Sequence, residues 1–110
     1  MTIYRGVIQR TGAAAFNPAN FDLNSTVTPA GTTGARTINQ PAGSVNFAAA
    51  AESLVVTNNL VTANSVILLT VASNDSSTDS VHLTQTTGSF TIYVDNPPDA
   101  ELRVNFLVVN

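Results

Sequence analysis

From Ala35 onward, apolar runs rich in β-branched and aromatic residues recur about every ten residues, separated by Asn, Ser, Thr, Gly and Pro. Helical periodicity is sustained nowhere along the chain. That spacing leaves little room for any architecture but an all-β one. It predicts an antiparallel β-sandwich of Greek-key or jelly-roll type, with about seven to eight strands.

The expected strands are Arg36 to Gln40, Ser44 to Phe47, Ser53 to Thr57, Ser65 to Ala72, Ser80 to Gln85, Ser89 to Asp95 and Leu102 to Val109. Pro41-Ala42-Gly43 should close the first of them. Four alanines and no caps are too little to nucleate a helix at Ala48 to Ala51, so that stretch reads as a connector. Thr86-Thr87-Gly88 suits a hairpin turn, and Asn96-Pro97-Pro98-Asp99 breaks the sheet because proline donates no ladder bond. The connector Asn58 to Asn64 is expected to tuck Leu60 inward. Alternation assigns Val45, Phe47, Leu54, Val56, Val81, Leu83, Phe90, Ile92, Val94, Val104, Phe106 and Val108 to the core. The run Val66 to Val71 has no clean alternation. It reads as a central strand covered on both sides, with Val66 and Leu68 in the core.

The surplus is the informative part. If one face of each strand is core, Ile67 and Leu69 in that run, and Leu107 and Val109 in the last strand, form a second apolar face. Such a face needs cover from a neighbouring subunit or from the N-terminal arm. A closed ring of identical sandwiches, in particular a homotrimer, would bury it. Residues 1–34 read as an extended N-terminal arm or linker ahead of a sandwich domain at 35–110. In this arm Ile3, Tyr4, Phe16, Phe21 and Leu23 are isolated apolar anchors in a Gly- and Pro-punctuated segment that cannot build its own core. They are candidates, with Ile67, Leu69, Leu107 and Val109, for contacts with a partner.

Composition narrows the class of partner. Only 10% of the 110 residues are charged, there is no lysine, and the net charge is −3. Nucleic-acid binding needs several phosphate-neutralising cations on one face, so it is not expected. No run approaches the ~20 apolar residues of a membrane span, and no signal peptide is visible. With no cysteine, disulfides and thiolate metal sites are excluded. Polarity carried by Asn, Thr and Ser gives little charge repulsion between copies, which suits a subunit packed against others.

Candidate chemistry is sparse. His82, the single histidine, alternates with Val81 and Leu83 and should point outward, and alone it makes no typical transition-metal site. Asp75 and Asp79 share one loop, and Asp95 and Asp99 flank the proline pair, without the ordered spacing of a calcium loop. No nucleophile elbow or glycine-rich phosphate cradle is present. The expectation is a protein that is not an enzyme and carries no cofactor or metal.

The segments Ser53-Leu54-Val55-Val56-Thr57-Asn58, Leu60-Val61-Thr62-Ala63-Asn64-Ser65, Gly88-Ser89-Phe90-Thr91-Ile92 and Leu107-Val108-Val109-Asn110 resemble small β-sandwich domains of tailed-bacteriophage virion proteins. Such domains occur in capsid decoration (cement) proteins and at the ends of fibres and tail needles. The resemblance spans residues 43–110. It implies a structural virion protein that binds the outer shell as an oligomer and stabilises it, with the major capsid protein or another virion protein as partner. Its alternative implication is a receptor- or carbohydrate-binding knob of a fibre or tail. A fibre would carry a long repetitive shaft ahead of its knob, which these 110 residues do not contain.

Overall fold

The computed structural model of the chain describes residues 24–73, 78 and 80–110. Among these residues there is no helix, and eight strands form two four-stranded sheets. The strands are β1 (Thr26–Val27), β2 (Arg36–Thr37), β3 (Ala42–Phe47), β4 (Ser53–Thr57), β5 (Val66–Val71), β6 (Val81–Thr86), β7 (Ser89–Val94) and β8 (Leu102–Val109). One sheet has the order β1-β3-β8-β5 and the other β2-β4-β7-β6. The long strands pair antiparallel. The two-residue strands do not: β1 runs parallel to β3 and β2 parallel to β4. Both sheets are therefore mixed, where the sequence pattern predicts purely antiparallel ones. The reason is local. Two short stretches of chain ahead of β3 lie alongside β3 and β4 in the same direction, a pairing too brief to leave a periodic signal.

Strict alternation on β4, β7 and β8 produces the core. Val45 and Phe47 from β3, Leu54 and Val56 from β4, Phe90, Ile92 and Val94 from β7, and Leu102, Val104, Phe106 and Val108 from β8 form one buried cluster. Side chains from both sheets meet in it, so the sheets pack through their inner faces. Each such side chain contributes about 1.5–3 kcal/mol of transfer free energy. Ile38 and Val61 join the cluster from loops. Leu60, expected to tuck inward, is exposed, and its neighbour Val61 is buried in its place. The turn is held by fully buried Asn58, whose Oδ1 accepts from the Leu60 N–H at 2.9 Å and whose Nδ2 donates to the Gln40 carbonyl at 2.8 Å. That geometry directs the following residue, Val61, into the core.

The larger correction concerns β5. It is an edge strand, and β8 occupies the interior position between β3 and β5. Its faces are also the reverse of the expectation. Directly opposed residues share a face of the sheet. The register pairs Ile67 with Val108, Leu69 with Phe106 and Val71 with Val104, all core residues on β8. Ile67 and Leu69 therefore point inward and pack against the cluster, whereas Val66 and Leu68 point outward and are 57% and 53% exposed.

The outer face of the β1-β3-β8-β5 sheet is covered on one side by the chain itself. Ser44 and Asn46 point outward from β3, yet both are buried. Thr28 donates from its N–H to Ser44 Oγ at 3.0 Å and from its hydroxyl to the Ser44 carbonyl at 2.6 Å. Asn46 Nδ2 donates to the carbonyls of Pro29 at 2.9 Å and Thr32 at 3.1 Å, and Gly34 N–H donates to the Asn46 carbonyl at 2.9 Å. Residues 28–34 thus form a polar cap over β3, so the sheets take in chain ahead of Ala35.

Candidate interaction surface

Beyond that cap the described part of the same face is apolar and partly exposed. The register places Val66 beside Val109, and Leu68 beside Leu107, which in turn lies beside Ala42. These pairs make two apolar rows across β5, β8 and β3, with Val109 45% exposed and Leu107 half-buried. The next row, Thr70, Asn105 and Ser44, is polar and uncharged. Only at Arg103 does the face of β8 acquire a charge. Between β1 and β8 an open depression of about 260 Å³ is lined by Ser25, Val27, Ala42, Ser44, Arg103 and Asn105. Its floor is made of small side chains, and Val27 stands exposed at its rim.

Of the residues expected to contact a partner, Leu107 and Val109 lie on this surface. Ile67 and Leu69 do not, because they face the core. Ile3, Tyr4, Phe16, Phe21 and Leu23 lie outside the described residues. The surface instead gains Val66 and Leu68. One sequence signal marked their direction: Thr70, the single polar residue of β5, has the same parity as Val66 and Leu68 and points outward with them.

The outer face of the other sheet differs in chemistry. Its rows are Thr37, Thr57, Ser89 and Thr86, then Val55, Thr91 and Thr84, then Ser53, Tyr93 and His82. It is uncharged and rich in hydroxyls, with Val55 exposed at its centre. His82 points outward, as its alternation predicts, and its ring stacks on Tyr93 with centroids 5.2 Å apart and an interplanar angle of 15°. Among the described residues no three His, Cys, Asp or Glu side chains converge as they would around a metal ion. Asp95 accepts from the Ser80 N–H at 2.9 Å, so it joins the chain entering β6 to the end of β7. Asp75 and Asp79 lie outside the described residues.

In comparisons with known protein families, curated proteins and solved structures, the chain matches none.

Proposed function

We propose that the protein is a structural virion subunit that decorates a phage capsid as an oligomer, with the apolar rows of β5 and β8 seated on the shell protein. The observation that carries this reading is the division of one sheet face. Its β3 side is capped by the chain's own polar segment, whereas among the described residues Val66, Leu68 and Val109 stay exposed beside half-buried Leu107. A contiguous apolar patch rimmed by polar residues marks an interaction site more often than a free surface. The low charge and the resemblance over residues 43–110 support a neutral, subunit-packed setting. Contacts made only in the bound state would stabilise the shell by mass action.

We further read the two layers as a jelly roll lacking one strand pair. In support, the chain alternates between sheets at β3, β4, β5 and β6, and only β6 and β7 follow one another within a sheet. Returning as β7 and β8, it enters between the earlier strands of each layer.

The test is addition of the purified protein to undecorated capsids. Wild type should bind and raise the temperature at which the shells open. Leu68→Asp and Val109→Lys should fold normally and bind at least tenfold more weakly. A chain lacking residues 1–23 measures the contribution of the arm separately. Undiminished binding by both point variants overturns the assignment of this face. Mass spectrometry of purified particles should count hundreds of copies; a few per particle would place the protein at the tail.

A second reading, a carbohydrate-binding knob, draws on the Tyr93–His82 stack beside the hydroxyl-rich face. Sugar sites combine aromatic platforms with neutral hydrogen-bonding groups. Binding on a glycan array that is lost in Tyr93→Ala would favour it.

A further inference from the structure

The core of this fold is closed along β3 and β8 of one sheet and β4 and β7 of the other, and is less well covered along β5 and β6. Core-facing side chains of β4, β7 and β8 are buried. Those of β5 and β6 face the same interior but are only partly buried: Ile67, Leu69, Val81 and Leu83 are intermediate in burial, and Val71 is 36% exposed. β5 and β6 are the last strands of their sheets, and they lie on the same side of the molecule. The partly buried side chains therefore mark a seam between the β5 and β6 edges.

Both edges also carry backbone groups with no strand to pair with among the described residues. The Ala72 N–H donates to the Arg103 carbonyl at 2.8 Å, which sets the phase of the β5–β8 ladder. By the alternation of antiparallel pairs, Leu68 and Thr70 turn their N–H and C=O groups toward β8, whereas Ile67, Leu69 and Val71 turn theirs outward. On β6 the bond from the Asp95 N–H to the Ser80 carbonyl at 3.2 Å sets the phase in the same way. His82 and Thr84 face β7, and Val81, Leu83 and Gln85 face outward. The residues that expose core side chains are thus the ones that offer ladder bonds. Neither edge has the usual protection: no proline and no Lys, Arg, Asp or Glu stands in Val66–Val71 or Val81–Thr86. Gln85 closes one end of the seam, donating to the carbonyls of Thr62 at 3.1 Å and Ser65 at 2.7 Å.

We infer that a second copy of this chain seals the seam, β5 pairing antiparallel with its counterpart β5 and β6 with its counterpart β6 about one two-fold axis. Two observations select a second copy over a single strand-like segment. The seam needs one new strand for each of two sheets, and a two-fold axis normal to the layers supplies both at once. An isologous contact also sets each edge against the same edge of the other copy, so an edge carrying net charge would repel its counterpart, and these edges carry no formal charge. A two-fold axis normal to a sheet keeps each face on its own side. Outward Val66, Leu68 and Thr70 would then meet outward residues of the partner, extending the apolar rows, while inward Ile67, Leu69 and Val71 close the core. The contact is a two-fold pair, in place of the three-fold ring that the residue pattern suggests. It uses strand edges and does not depend on the shell-binding reading, which uses the face of β5 and β8.

The test combines sedimentation of the full chain with amide exchange read by NMR. The expected result is a species of twice 11.4 kDa. In it the amides of Ile67, Leu69, Val71, Val81 and Leu83 are at least tenfold slower than in the dilute monomer. Val71→Lys places an inward-pointing charge at the edge, where its stem can lie along the seam and its ammonium reach water. It should sediment as a single chain at every concentration while keeping a cooperative unfolding transition. Val109→Lys, on β8 and away from the seam, should leave the pair intact. A single-chain mass at millimolar concentration overturns the proposal, and if the outward amides are nevertheless protected, the chain's own residues seal the seam. A mass of three chains overturns it equally. Should Val71→Lys fail to fold, the wild-type mass and amide rates decide the question unaided.

Discussion

Phe90 on β7 and Phe106 on β8 meet edge to face across the two layers, ring centroids 5.3 Å apart and planes inclined at 66°. Each belongs to a different sheet, and both are buried, so this pair joins the layers at the middle of the core. Truncation of Phe106 to Ala removes the contact and leaves a cavity that the surrounding strands cannot fill. Urea denaturation should show a loss of about 3–5 kcal/mol. Against a total of about 5–15 kcal/mol for a domain, that brings the variant close to unfolding at room temperature.

Gly43 lies beneath the same ring. A Cβ there would sit 2.7 Å from the Thr26 carbonyl oxygen and 3.0 Å from two Phe106 ring atoms. The carbonyl belongs to β1, which pairs with β3 at this point, so relief requires moving backbone or a packed aromatic. Gly43→Ala should cost about 1–3 kcal/mol by overpacking. Exchange of the Thr28 amide, which donates to Ser44 Oγ in the adjoining cap, should accelerate as β1 loosens.

Asn58 is fully buried, and its side chain uses both ends in the turn before β5, while its N–H donates to the Gly88 carbonyl at 2.9 Å. Asn58→Ala leaves the Leu60 N–H and the Gln40 carbonyl without those partners. A cost of about 1–3 kcal/mol is expected for each group that stays dry. Thermal unfolding of Asn58→Ala beside Asn59→Ala checks the assignment, because Asn59 is exposed and should be nearly silent.

The facing of β5 is testable by paired substitutions. Leu68→Thr, on the outer face, should change stability by no more than about 0.5 kcal/mol. Leu69→Thr, one residue on, places a hydroxyl against Phe106 and should cost about 1–3 kcal/mol. Equal effects in denaturant titrations would mean that the strand has no preferred face.

A chain ending at Ala100 lacks β8. That strand pairs with β3 on one side and β5 on the other, and it contributes four residues to the core cluster. Its removal separates β3 from β5 and opens the core along its length. The truncated chain should be insoluble, or unfolded by circular dichroism.

Much of the fold was legible in the residues because alternation is a local property. Leu102, Val104, Phe106 and Val108 point inward wherever β8 is placed, and the same holds for Phe90, Ile92 and Val94 on β7. Thr87 and Gly88 form the β6–β7 turn, where Gly88 has φ 90°, a value that favours glycine. The candidate surface was half legible. Leu107 and Val109 followed from alternation on β8, whereas Val66 and Leu68 did not, because an apolar run reads the same on either face.

What the chain determined by itself is the all-β class, the positions of its long strands and the inward set on β4, β7 and β8, since these follow from a period of two between turn residues. Tertiary structure alone decided which strands stand at the edges and which way β5 faces. Both depend on the partner: β8, some forty residues away, sets the register of β5, and one residue of slip would exchange every inward side chain for an outward one. It also decided that residues 28–34 cap β3, because the cap consists of hydrogen bonds between segments with no periodic mark in the sequence.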